Sequence, residues 1–358
     1  MSGTETNYDL GYPIVVGAAS EFAEFASQFD RPALVLTDAD PTVRRIARAA
    51  ARAMHRAPVI PVPLGERRKR LVTVERVLDE LAARGVERDA LVVGVGGGVA
   101  SDLFGFACAT YMRGIRYAHV ATTLVAMVDA AIGAKTGVNL RAGKNLVGSF
   151  HDPAGVFCDV TALRTLTRSA MREGMSEIVK AAIIEGGDFF ASLEELSGHR
   201  FAAWPWEQVI AGAVKVKTMV VADDRLEAGR RETLNLGHTF AHGIERASDF
   251  KVPHGSAVAL GLRAAGLLAL QTGRFSRDEH LRVLTLLALF GLPFDTAVEP
   301  NEILAAMRHD KKRRGGRLRF TLPRAIGDVE YGVEVPLTSV RAVLRRLREL
   351  PEPLLARR

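Results

Sequence analysis

An apolar segment that leads directly into three glycines constrains the fold of this chain more than any other feature. Residues 90–95 read Ala-Leu-Val-Val-Gly-Val, and Gly96, Gly97 and Gly98 follow. A segment of this kind is typical of a strand buried on both faces, as in parallel sheets covered by helices. Glycines between such a strand and a helix let a pyrophosphate approach the backbone. The pattern predicts a dinucleotide-binding α/β sheet, although an ordinary tight turn could also read this way.

The rest of the first half alternates between strand and helix patterns. Further apolar strands are predicted at residues 33–37, 58–62, 116–120 and 155–160. From about residue 168 the periodicity becomes mostly helical. We therefore predict an α/β, Rossmann-like N-terminal domain over residues 1–165 and a mainly α-helical C-terminal domain over residues 166–358.

The composition narrows the classes of partner. Hydrophobic residues make up 48% and charged residues 25% of the 358 residues, which excludes a disordered chain. The net charge is +7, but the arginine runs are typical of solvated helix faces, so we expect no nucleic-acid partner. No long apolar run or leader-like N-terminus occurs, so we expect no membrane association and a cytoplasmic location. Cys108 and Cys158 are predicted to be buried free thiols.

Three histidines within seventeen residues predict a metal site in the second half. His238 and His242 lie four residues apart, so a helix presents both on one face. His254 follows at the predicted start of the next helix, and Glu177 and Lys180 lie one helical turn apart upstream. A set of two histidines and a glutamate suits a catalytic zinc, which keeps one position open for substrate. Each histidine alone could equally be a core residue.

Asp38 directly follows the predicted strand 33–37. A carboxylate in this position suits a ribose hydroxyl, which favours NAD over NADP. Its place shortly before Pro41 suits a helix-capping aspartate equally well.

Six motifs in order along the chain resemble the 3-dehydroquinate synthase family of sugar phosphate cyclases. They are found at residues 96–114, 122–139, 143–153, 174–180, 235–242 and 310–312. The likeness runs from about residue 30 to about residue 330. Together the motifs are specific, although none of them is specific alone.

The resemblance implies a lyase that cyclises 3-deoxy-arabino-heptulosonate 7-phosphate to 3-dehydroquinate with loss of phosphate. It also implies NAD, one divalent metal (zinc, with cobalt as the alternative), a small anionic sugar-phosphate substrate and a homodimer. The implied metal ligands are Glu177, His238 and His254. The implied NAD contacts are Asp38, Glu66, Lys69, Gly97, Gly98, Val99, Asp102, Thr122, Thr123, Lys144, Leu163 and Thr165. The implied substrate contacts are Arg113, Asp129, Lys135, Asn145, Lys180, Lys217, Arg231, Asn235, Lys311 and Lys312.

The resemblance places the proton-transfer groups at Glu227 and His242, with Lys135 and Lys180 also in catalytic positions. A packed, hydrogen-bonded histidine is the alternative for His242, and a solvated surface charge is the alternative for each lysine. Arg231 suits bidentate capture of a carboxylate. Together with His242, it favours the dehydroquinate branch over cyclases of uncharged heptulose phosphates.

Five positions depart from the family pattern, among them Ala121 and Thr167, which stand where proline is common. Ala134 and Ser176 stand where glycine and alanine are usual, and Glu173 stands where a neutral residue is common. A carboxylate at Glu173 would repel a phosphate unless a cation partners it. Aminodehydroquinate synthase, or another secondary-metabolism cyclase, is therefore an alternative, and a metal-dependent alcohol dehydrogenase is a more distant one.

Overall fold

The computed structural model describes residues 4–6, 10–18, 21–27, 32–196, 198–311 and 318–349. The chain divides into two compact units. The first comprises residues 1–171 and 205–222, and the second comprises residues 172–204 and 223–358.

Strands and helices alternate in the first half of the chain, and helices dominate the second. The strands are β1 (Thr4–Thr6), β2 (Ile14–Gly17), β3 (Pro32–Asp38), β4 (Val59–Val62), β5 (Leu91–Gly96), β6 (Arg116–Ala121), β7 (Lys135–Leu140), β8 (Gly143–Phe150), β9 (Gly155–Asp159), β10 (Arg319–Ala325) and β11 (Asp328–Glu334). The helices are α1 (Phe22–Ser27), α2 (Pro41–Ala53), α3 (Leu71–Ala83), α4 (Gly98–Thr110), α5 (Arg168–Glu185), α6 (Gly187–Leu196), α7 (Trp206–Asp223), α8 (His238–Ala247), α9 (His254–Gln271), α10 (Arg277–Leu289), α11 (Pro300–Lys311) and α12 (Leu337–Arg346).

The first unit is built on a seven-stranded sheet in the order β1-β2-β9-β6-β5-β3-β4. Its neighbouring strands are parallel except for the antiparallel pair β1 and β2. Every residue of β5 is buried. This explains the apolar segment at residues 90–95, because helices cover the central strand on both faces. The predicted parallel α/β sheet is confirmed.

Successive residues of β5 point to opposite faces of the sheet. Val92 belongs to the core cluster that contains Leu103 of α4. Val93 belongs to a second cluster, which contains Ala47 of α2. Each face of the sheet therefore has its own helix-covered core, as in a doubly wound fold.

The chain changes direction across the sheet at β3. This strand pairs with β4 on one side and with β5 on the other. Crevices at the carboxyl ends of strands next to such a switch point bind ligands in open α/β sheets. The glycine turn follows β5 at this edge.

A hairpin of β7 and β8 adds a separate two-stranded antiparallel sheet to the first unit. Gly137 and Gly148 let its two strands cross closely, because a Cβ on Gly148 would lie 2.1 Å from the carbonyl oxygen of Thr136. The hairpin carries Lys135 and Asn145, two of the predicted substrate contacts.

Helix α7 groups with the first unit as far as Ala222. The two-domain prediction assigns this segment to the domain 166–358 instead. Nζ of Lys217 donates a hydrogen bond to the backbone oxygen of Asp129 at 2.6 Å and contacts its carboxylate. This contact between residues 88 positions apart helps to hold α7 in the first unit.

The second unit is mainly helical, as predicted, and carries the β10 and β11 hairpin. Helix α9 is buried along almost its whole length and packs against α8. At their contact a Cβ on Gly261 would lie 2.2 Å from the carbonyl oxygen of Gly237. Gly237 also has φ of +77°, so glycine suits the turn before α8.

Cys108 and Cys158 are both buried free thiols, which confirms their prediction. Within the described residues, no helix has the length and apolar character needed to cross a membrane.

Candidate active site

The three predicted metal ligands lie together in the second unit. Oε1 of Glu177, on α5, is 3.2 Å from Nε2 of His254 and 3.6 Å from Nε2 of His238. One donor atom from each residue lies within 4.8 Å of the other two. The two histidines are the first residues of α9 and α8, which pack against each other. A carboxylate and two imidazoles in this arrangement fit a divalent metal such as zinc.

The second nitrogen of each imidazole also faces an acceptor. Nδ1 of His238 lies 3.2 Å from the carbonyl oxygen of Leu236. Nδ1 of His254 lies 3.4 Å from Oε1 of Glu245. An acceptor at Nδ1 favours a proton there and leaves the lone pair of Nε2 for a metal. The donor set therefore fits the ion that the sequence predicts.

Glu177 and Lys180 are both buried, at 2% and 4% exposure. Nζ of Lys180 lies 2.5 Å from Oε2 of Glu177, yet this oxygen accepts no well-aligned hydrogen bond within the described part of the chain. Burial alone would raise the pKa of Glu177, but the Lys180 ammonium and the hydrogen bond with His254 hold that pKa well below its usual value. Glu177 is thus a carboxylate that can bind a cation. The surface-charge alternative for Lys180 is wrong.

The two histidines of the set differ in protonation. Burial, with the nearby Lys180 charge, lowers the pKa of His238 to about 3, so this imidazole is neutral at pH 7. Burial also opposes a charge on His254, but Glu177 and Glu245 outweigh it and raise the pKa of His254 to about 10. A metal that binds His254 must therefore displace a proton.

The carboxylate of Glu173 is bonded to the start of α9. Oε2 accepts a hydrogen bond from the backbone nitrogen of Gly255 at 2.6 Å, and Oε1 accepts one from Oγ of Ser256 at 3.2 Å. The positive end of the helix dipole stabilises a carboxylate in this position. The negative charge of Glu173, which could have repelled a phosphate, is thus stabilised by the N-terminus of α9. The sequence did not predict this partner.

His242 lies one turn after His238, with 5.5 Å between the ring centroids. Its side chain is exposed, whereas that of His238 is buried. The alternative of a packed core histidine is therefore wrong for His242. The metal-ligand group found among the described residues does not include it, and its acid–base role stays a prediction.

A tight loop joins Glu227, Arg231 and Asn235 into one structural group. The carboxylate of Asp224 accepts hydrogen bonds from three backbone N–H groups within residues 228–231, at 2.7, 2.9 and 3.0 Å. Glu227 has φ of +58°, which is costly for a residue with a side chain. Nδ2 of Asn235 donates to Oε1 of Glu227 at 3.0 Å.

The guanidinium of Arg231 is buried, at 2% exposure. It donates a hydrogen bond to the carbonyl oxygen of Arg225. A guanidinium has five N–H donors in a planar fork, which suits it to bond several acceptors at once. Arg231 thus differs from its neighbour Arg230, whose guanidinium is exposed and pairs with Asp223.

In the first unit, the predicted NAD contacts follow the carboxyl ends of four neighbouring strands. Asp38 ends β3, Gly97 follows β5, Thr122 follows β6, and the turn Val160–Thr165 follows β9. These strands are neighbours in the order β9-β6-β5-β3. Parallel strands end at the same edge of a sheet, so the fold brings these residues to the edge where nucleotides bind.

The glycine turn at this edge has no room for side chains. A Cβ on Gly96 would lie 2.5 Å from Cβ of Ala100, and one on Gly97 would lie 2.9 Å from Cγ2 of Thr123. The Oγ1 of Thr122 is buried and has no hydrogen-bond partner among the described residues. An orphaned hydroxyl next to a glycine turn at the start of a helix fits a bound nucleotide.

Asp38 does not cap a helix. Asp40 fills that role, because its side chain accepts hydrogen bonds from the backbone nitrogens of Thr42 and Val43 at 2.8 and 3.2 Å. Oδ1 of Asp38 accepts one from the nitrogen of Asp40 at 3.1 Å. The capping alternative for Asp38 is wrong, and its contact with a ribose stays a prediction.

Five further predicted residues form a polar network beside the β7 and β8 hairpin. Nζ of Lys69, which is buried, contacts the carboxylate of Asp102 and donates to Oδ1 of Asn145 at 2.6 Å. Lys144 pairs with Glu66 at 3.6 Å. Burial raises the pKa of Asp102, although the Lys69 ammonium opposes the shift. The structure thus connects predicted NAD contacts to the predicted substrate contact Asn145.

The remaining predicted residues of the first unit are distributed over this edge and beyond it. Val99 lies in the first turn of α4, Leu163 is buried, and Oγ1 of Thr165 donates to the backbone oxygen of Ala162 at 2.7 Å. Lys135 is exposed at the start of β7.

Arg113 lies at the opposite edge of the sheet. It lies three residues before β6 and thus near the amino end of that strand. Gly97, in contrast, follows the carboxyl end of the neighbouring parallel strand β5. It lines a surface cavity with Arg88 and His151. The structure therefore does not bring Arg113 to the glycine turn.

Lys311 and Lys312 have no described side chains. Lys311 is the last residue of α11, and Lys312 lies outside the described residues. Their contact with substrate stays a prediction.

The chain matches two family models that together cover most of its length. Residues 59–173 match 3-dehydroquinate synthase N-terminal, and residues 174–313 match 3-dehydroquinate synthase C-terminal. The chain belongs to the 3-dehydroquinate synthase family. The 3-dehydroquinate synthase of Gloeobacter violaceus is 40% identical over 341 residues, which is 93% of this chain and 94% of that protein.

Solved structures of sugar cyclases share the fold. A 2-epi-5-epi-valiolone synthase from Streptomyces hygroscopicus subsp. jinggangensis 5008, with NAD+ and Zn2+ bound, is 31% identical with a TM-score of 0.84, over 96% of this chain and 98% of that one. A 2-deoxy-scyllo-inosose synthase complexed with carbaglucose-6-phosphate, NAD+ and Co2+ is 25% identical with a TM-score of 0.84, over 96% and 100%. The fold class expected of the 3-dehydroquinate synthase family is confirmed.

Sequence reasoning missed three residues that contact predicted site residues, two in the second unit and one in the first. Glu245 faces His254, Asp224 supports the loop of Arg231, and Asn139 bonds to Oε1 of Glu66 through Nδ2 at 2.8 Å. Glu245 lies two helical turns after His238, and this spacing could have revealed it. The other two contacts depend on loop conformations that no short motif specifies.

Proposed function

We propose that this chain is a 3-dehydroquinate synthase, a carbon–oxygen lyase that converts 3-deoxy-arabino-heptulosonate 7-phosphate into 3-dehydroquinate and phosphate. The observation that carries the proposal is the Glu177, His238 and His254 set, built with Nε2 of both imidazoles toward one carboxylate. Its support is the 40% identity to a curated 3-dehydroquinate synthase over nearly the whole chain.

NAD+ and one divalent metal are the proposed cofactors. The metal, zinc with cobalt as the alternative, would be held by Glu177, His238 and His254, and NAD+ by the sheet edge that carries Gly97 and Thr122. Two solved structures of relatives, one with NAD+ and Zn2+ bound and one complexed with NAD+ and Co2+, support both assignments. When bound, the metal would polarise a substrate hydroxyl, and NAD+ would accept a hydride from the carbon that bears this hydroxyl and later return it.

The proposed reaction is redox neutral overall. Transient oxidation of one hydroxyl to a ketone acidifies the adjacent C–H bond. Loss of that proton breaks the neighbouring C–O bond and expels phosphate. The ketone is then reduced again, and ring opening with an aldol closure forms the carbon–carbon bond of the product. No external oxidant is consumed.

The substrate carries a phosphate of about −1.5 to −2 charges at neutral pH and a carboxylate. In the second unit, we assign Arg231 to the carboxylate, because a guanidinium matches its two oxygens. Lys180 and Asn235 are further proposed contacts there. In the first unit, buried Lys217 pairs with half-buried Asp129, and this pair suits polar groups of the substrate.

Glu227 and His242 are the proposed proton-transfer groups. An exposed imidazole can exchange protons at neutral pH. Glu227 is oriented by its hydrogen bond from Asn235 and by its left-handed backbone. In the first unit, Lys135 and Asn145 on the hairpin are proposed phosphate contacts, since both can donate hydrogen bonds to its oxygens.

The deciding experiment gives purified protein the heptulosonate phosphate and follows three signals: phosphate release, absorbance of NADH, and product mass. Stoichiometric phosphate and 3-dehydroquinate without net NADH would support the proposal. Net NADH would indicate a dehydrogenase. Turnover only with an amino-substituted or carboxylate-free heptulose phosphate would indicate another cyclase of the family.

A valiolone-type cyclase is the second candidate, because one such enzyme is 31% identical over 96% of this chain. Arg231→Ala distinguishes the two activities. For a carboxylate-bearing substrate we expect kcat/KM to fall at least about 100-fold, since a charge-assisted bidentate contact is lost. Arg230→Ala is the matched control, because that guanidinium is exposed. Equal kinetics in the two variants would contradict the carboxylate assignment.

His254→Ala tests the metal assignment directly. We expect the variant to lose stoichiometric zinc and turnover together, whereas His55→Ala, an exposed histidine of the first unit, should keep both. Full zinc content in His254→Ala would remove this residue from the ligand set.

A homodimer is the proposed assembly. Leu146 and Phe150 lie on the same face of β8 and are 41% and 49% exposed, and Met112 is 51% exposed. Apolar side chains exposed on an edge strand favour association with another copy. Light scattering on Phe150→Asp should show a shift toward monomer, and an unchanged dimer mass would exclude this surface.

A further inference from the structure

We propose that Glu173 is a positioning residue for the metal centre. Its carboxylate ties the start of α9 to α5 and thereby sets the spacing between His254 and Glu177. The proposal rests on the metal site proposed above and adds to it a residue that is not itself a ligand.

The link lies close to both ligands along the chain. Glu173 is one helical turn before Glu177 on α5. The residues that it binds, Gly255 and Ser256, directly follow His254 on α9. Each carboxylate oxygen has its own partner, the Gly255 nitrogen at 2.6 Å and the Ser256 hydroxyl at 3.2 Å. Two bonds from one planar group fix direction as well as distance.

The backbones of the two helices also touch at this point. A Cβ on Gly255 would lie 2.3 Å from the carbonyl oxygen of Glu173 and 2.4 Å from its Cα. The same carbonyl oxygen accepts a hydrogen bond from Oγ of Ser176 at 2.8 Å. The glycine permits the close approach, and the carboxylate keeps the helices in it.

The Glu173 link affects the 3.2 Å contact between Oε1 of Glu177 and Nε2 of His254, because it joins the two helices that carry these atoms. A carboxylate from any helix could stabilise the N-terminus of α9. Glu173 comes from the helix that carries the other ligand. Loss of its bonds therefore removes one tie between α5 and α9, and the spacing between His254 and Glu177 is then held less firmly before a metal binds.

The test measures zinc affinity of the apo-protein by chelator competition, with Co2+ absorption as a probe of ligand geometry. We expect Glu173→Ala to raise the zinc Kd about 10–100-fold, the range for residues that orient metal ligands. The Co2+ spectrum should change as well. Glu194→Gln is the matched control, since it alters a surface pair with Arg282 in the same unit.

Two conservative variants separate positioning from charge. Glu173→Gln keeps the length and an acceptor for the Gly255 nitrogen, so its Kd should stay near that of the unchanged protein. Glu173→Asp keeps the charge but is one methylene too short, so it should bind zinc as weakly as Glu173→Ala. The reverse order would overturn the proposal, because it would mean that the negative charge alone attracts the metal.

Ser256→Ala covers the case in which Glu173→Ala does not fold. It removes one of the two bonds without changing α5, and we expect a smaller rise in Kd together with a changed Co2+ spectrum. An unchanged Kd and spectrum in all soluble variants would overturn the proposal. If the unchanged protein binds no zinc, the metal site itself fails, and the two failures are thereby distinguished.

Discussion

The carboxylate of Asp224 lies 3.0 Å from the backbone nitrogen of Arg231. The same carboxylate also accepts hydrogen bonds from the nitrogens of Ala228 and Gly229, at 2.9 and 2.7 Å. These bonds, that of Ala228 foremost, lower the pKa of Asp224 and so stabilise its ionised form. The loop that carries the proposed carboxylate-binding arginine is thus folded around one negative charge.

Asp224→Ala should therefore impair catalysis although Asp224 is not a proposed substrate contact. We expect kcat/KM to fall about 10–100-fold, because misplacing a binding group by about 1 Å can have an effect of this size. Asp223→Ala is the control, since its carboxylate pairs with the exposed guanidinium of Arg230. Steady-state kinetics of both variants provide the check, and equal values would show that Arg231 does not need this support.

Ala134 should be replaceable by glycine with a gain in stability. It has φ of +63°, a conformation that costs a residue with a Cβ about 1–2 kcal/mol. Glycine removes this strain but gives the unfolded chain more freedom, so we expect Ala134→Gly to raise the free energy of unfolding by about 0.5–1 kcal/mol. Urea denaturation measures the change.

The control for Ala134→Gly is Ala82→Gly on the exposed surface of α3. It should lower the free energy of unfolding by less than the roughly 1 kcal/mol that glycine costs in a helix interior, because Ala82 is the second-to-last residue of α3. Destabilisation by both substitutions would contradict the strain at Ala134.

Gly97→Ala should weaken NAD+ binding. Its Cβ would lie 2.9 Å from Cγ2 and 3.0 Å from Oγ1 of Thr123. The turn must then shift away from the position in which its backbone can meet a pyrophosphate. We expect the NAD+ Kd, measured by calorimetry, to rise at least about tenfold, which is about 1.4 kcal/mol. Gly198→Ala, which has open space around its Cβ, should bind NAD+ as before.

His280 should make the second unit less stable in mild acid. Burial, with a smaller effect of Arg263, lowers the pKa of His280 to about 4. Between that value and the ordinary pKa of about 6.5, the unfolded chain binds a proton that the folded chain does not. The contribution of His280 to stability is therefore full above this window. It decreases as the pH is lowered through the window, by at most about 1.4 kcal/mol per pH unit.

Denaturation of His280→Leu at several pH values measures this contribution. The free energy of unfolding should depend less steeply on pH in the variant than in the unchanged protein. His199→Leu, at an exposed position, should leave the slope unchanged. Identical slopes for all three proteins would mean that His280 becomes protonated without unfolding.

The sheet could be predicted because its strands are buried on both faces. Val92 and Val93 each enter a core, so the segment shows an unbroken apolar run. The hairpin β7 and β8 gave no such signal, because most of β8 is partly or fully exposed and its sequence is mixed. Its close strand contact depends on Gly137 and Gly148, whose spacing alone does not indicate a hairpin.

The clustering of Glu177, His238 and His254 could be predicted, because the two histidines begin helices and Glu177 lies in a motif with Lys180. Their supporting residues could not. Glu173 and Glu245 meet the region of His254 only after α5, α8 and α9 pack together. The grouping of α7 with the first unit could not be predicted for the same reason. It involves a contact between Lys217 and Asp129, which are far apart in the sequence.

The carbonyl oxygen of Leu236 and the carboxylate of Glu245 face Nδ1 of His238 and of His254 and help to orient the two imidazoles. We therefore expect a chelator to remove the proposed ion, and added metal to restore it, while the chain stays folded. The enzyme could then exchange one divalent ion for another according to supply, and the occupant in a cell would reflect metal availability as much as intrinsic preference.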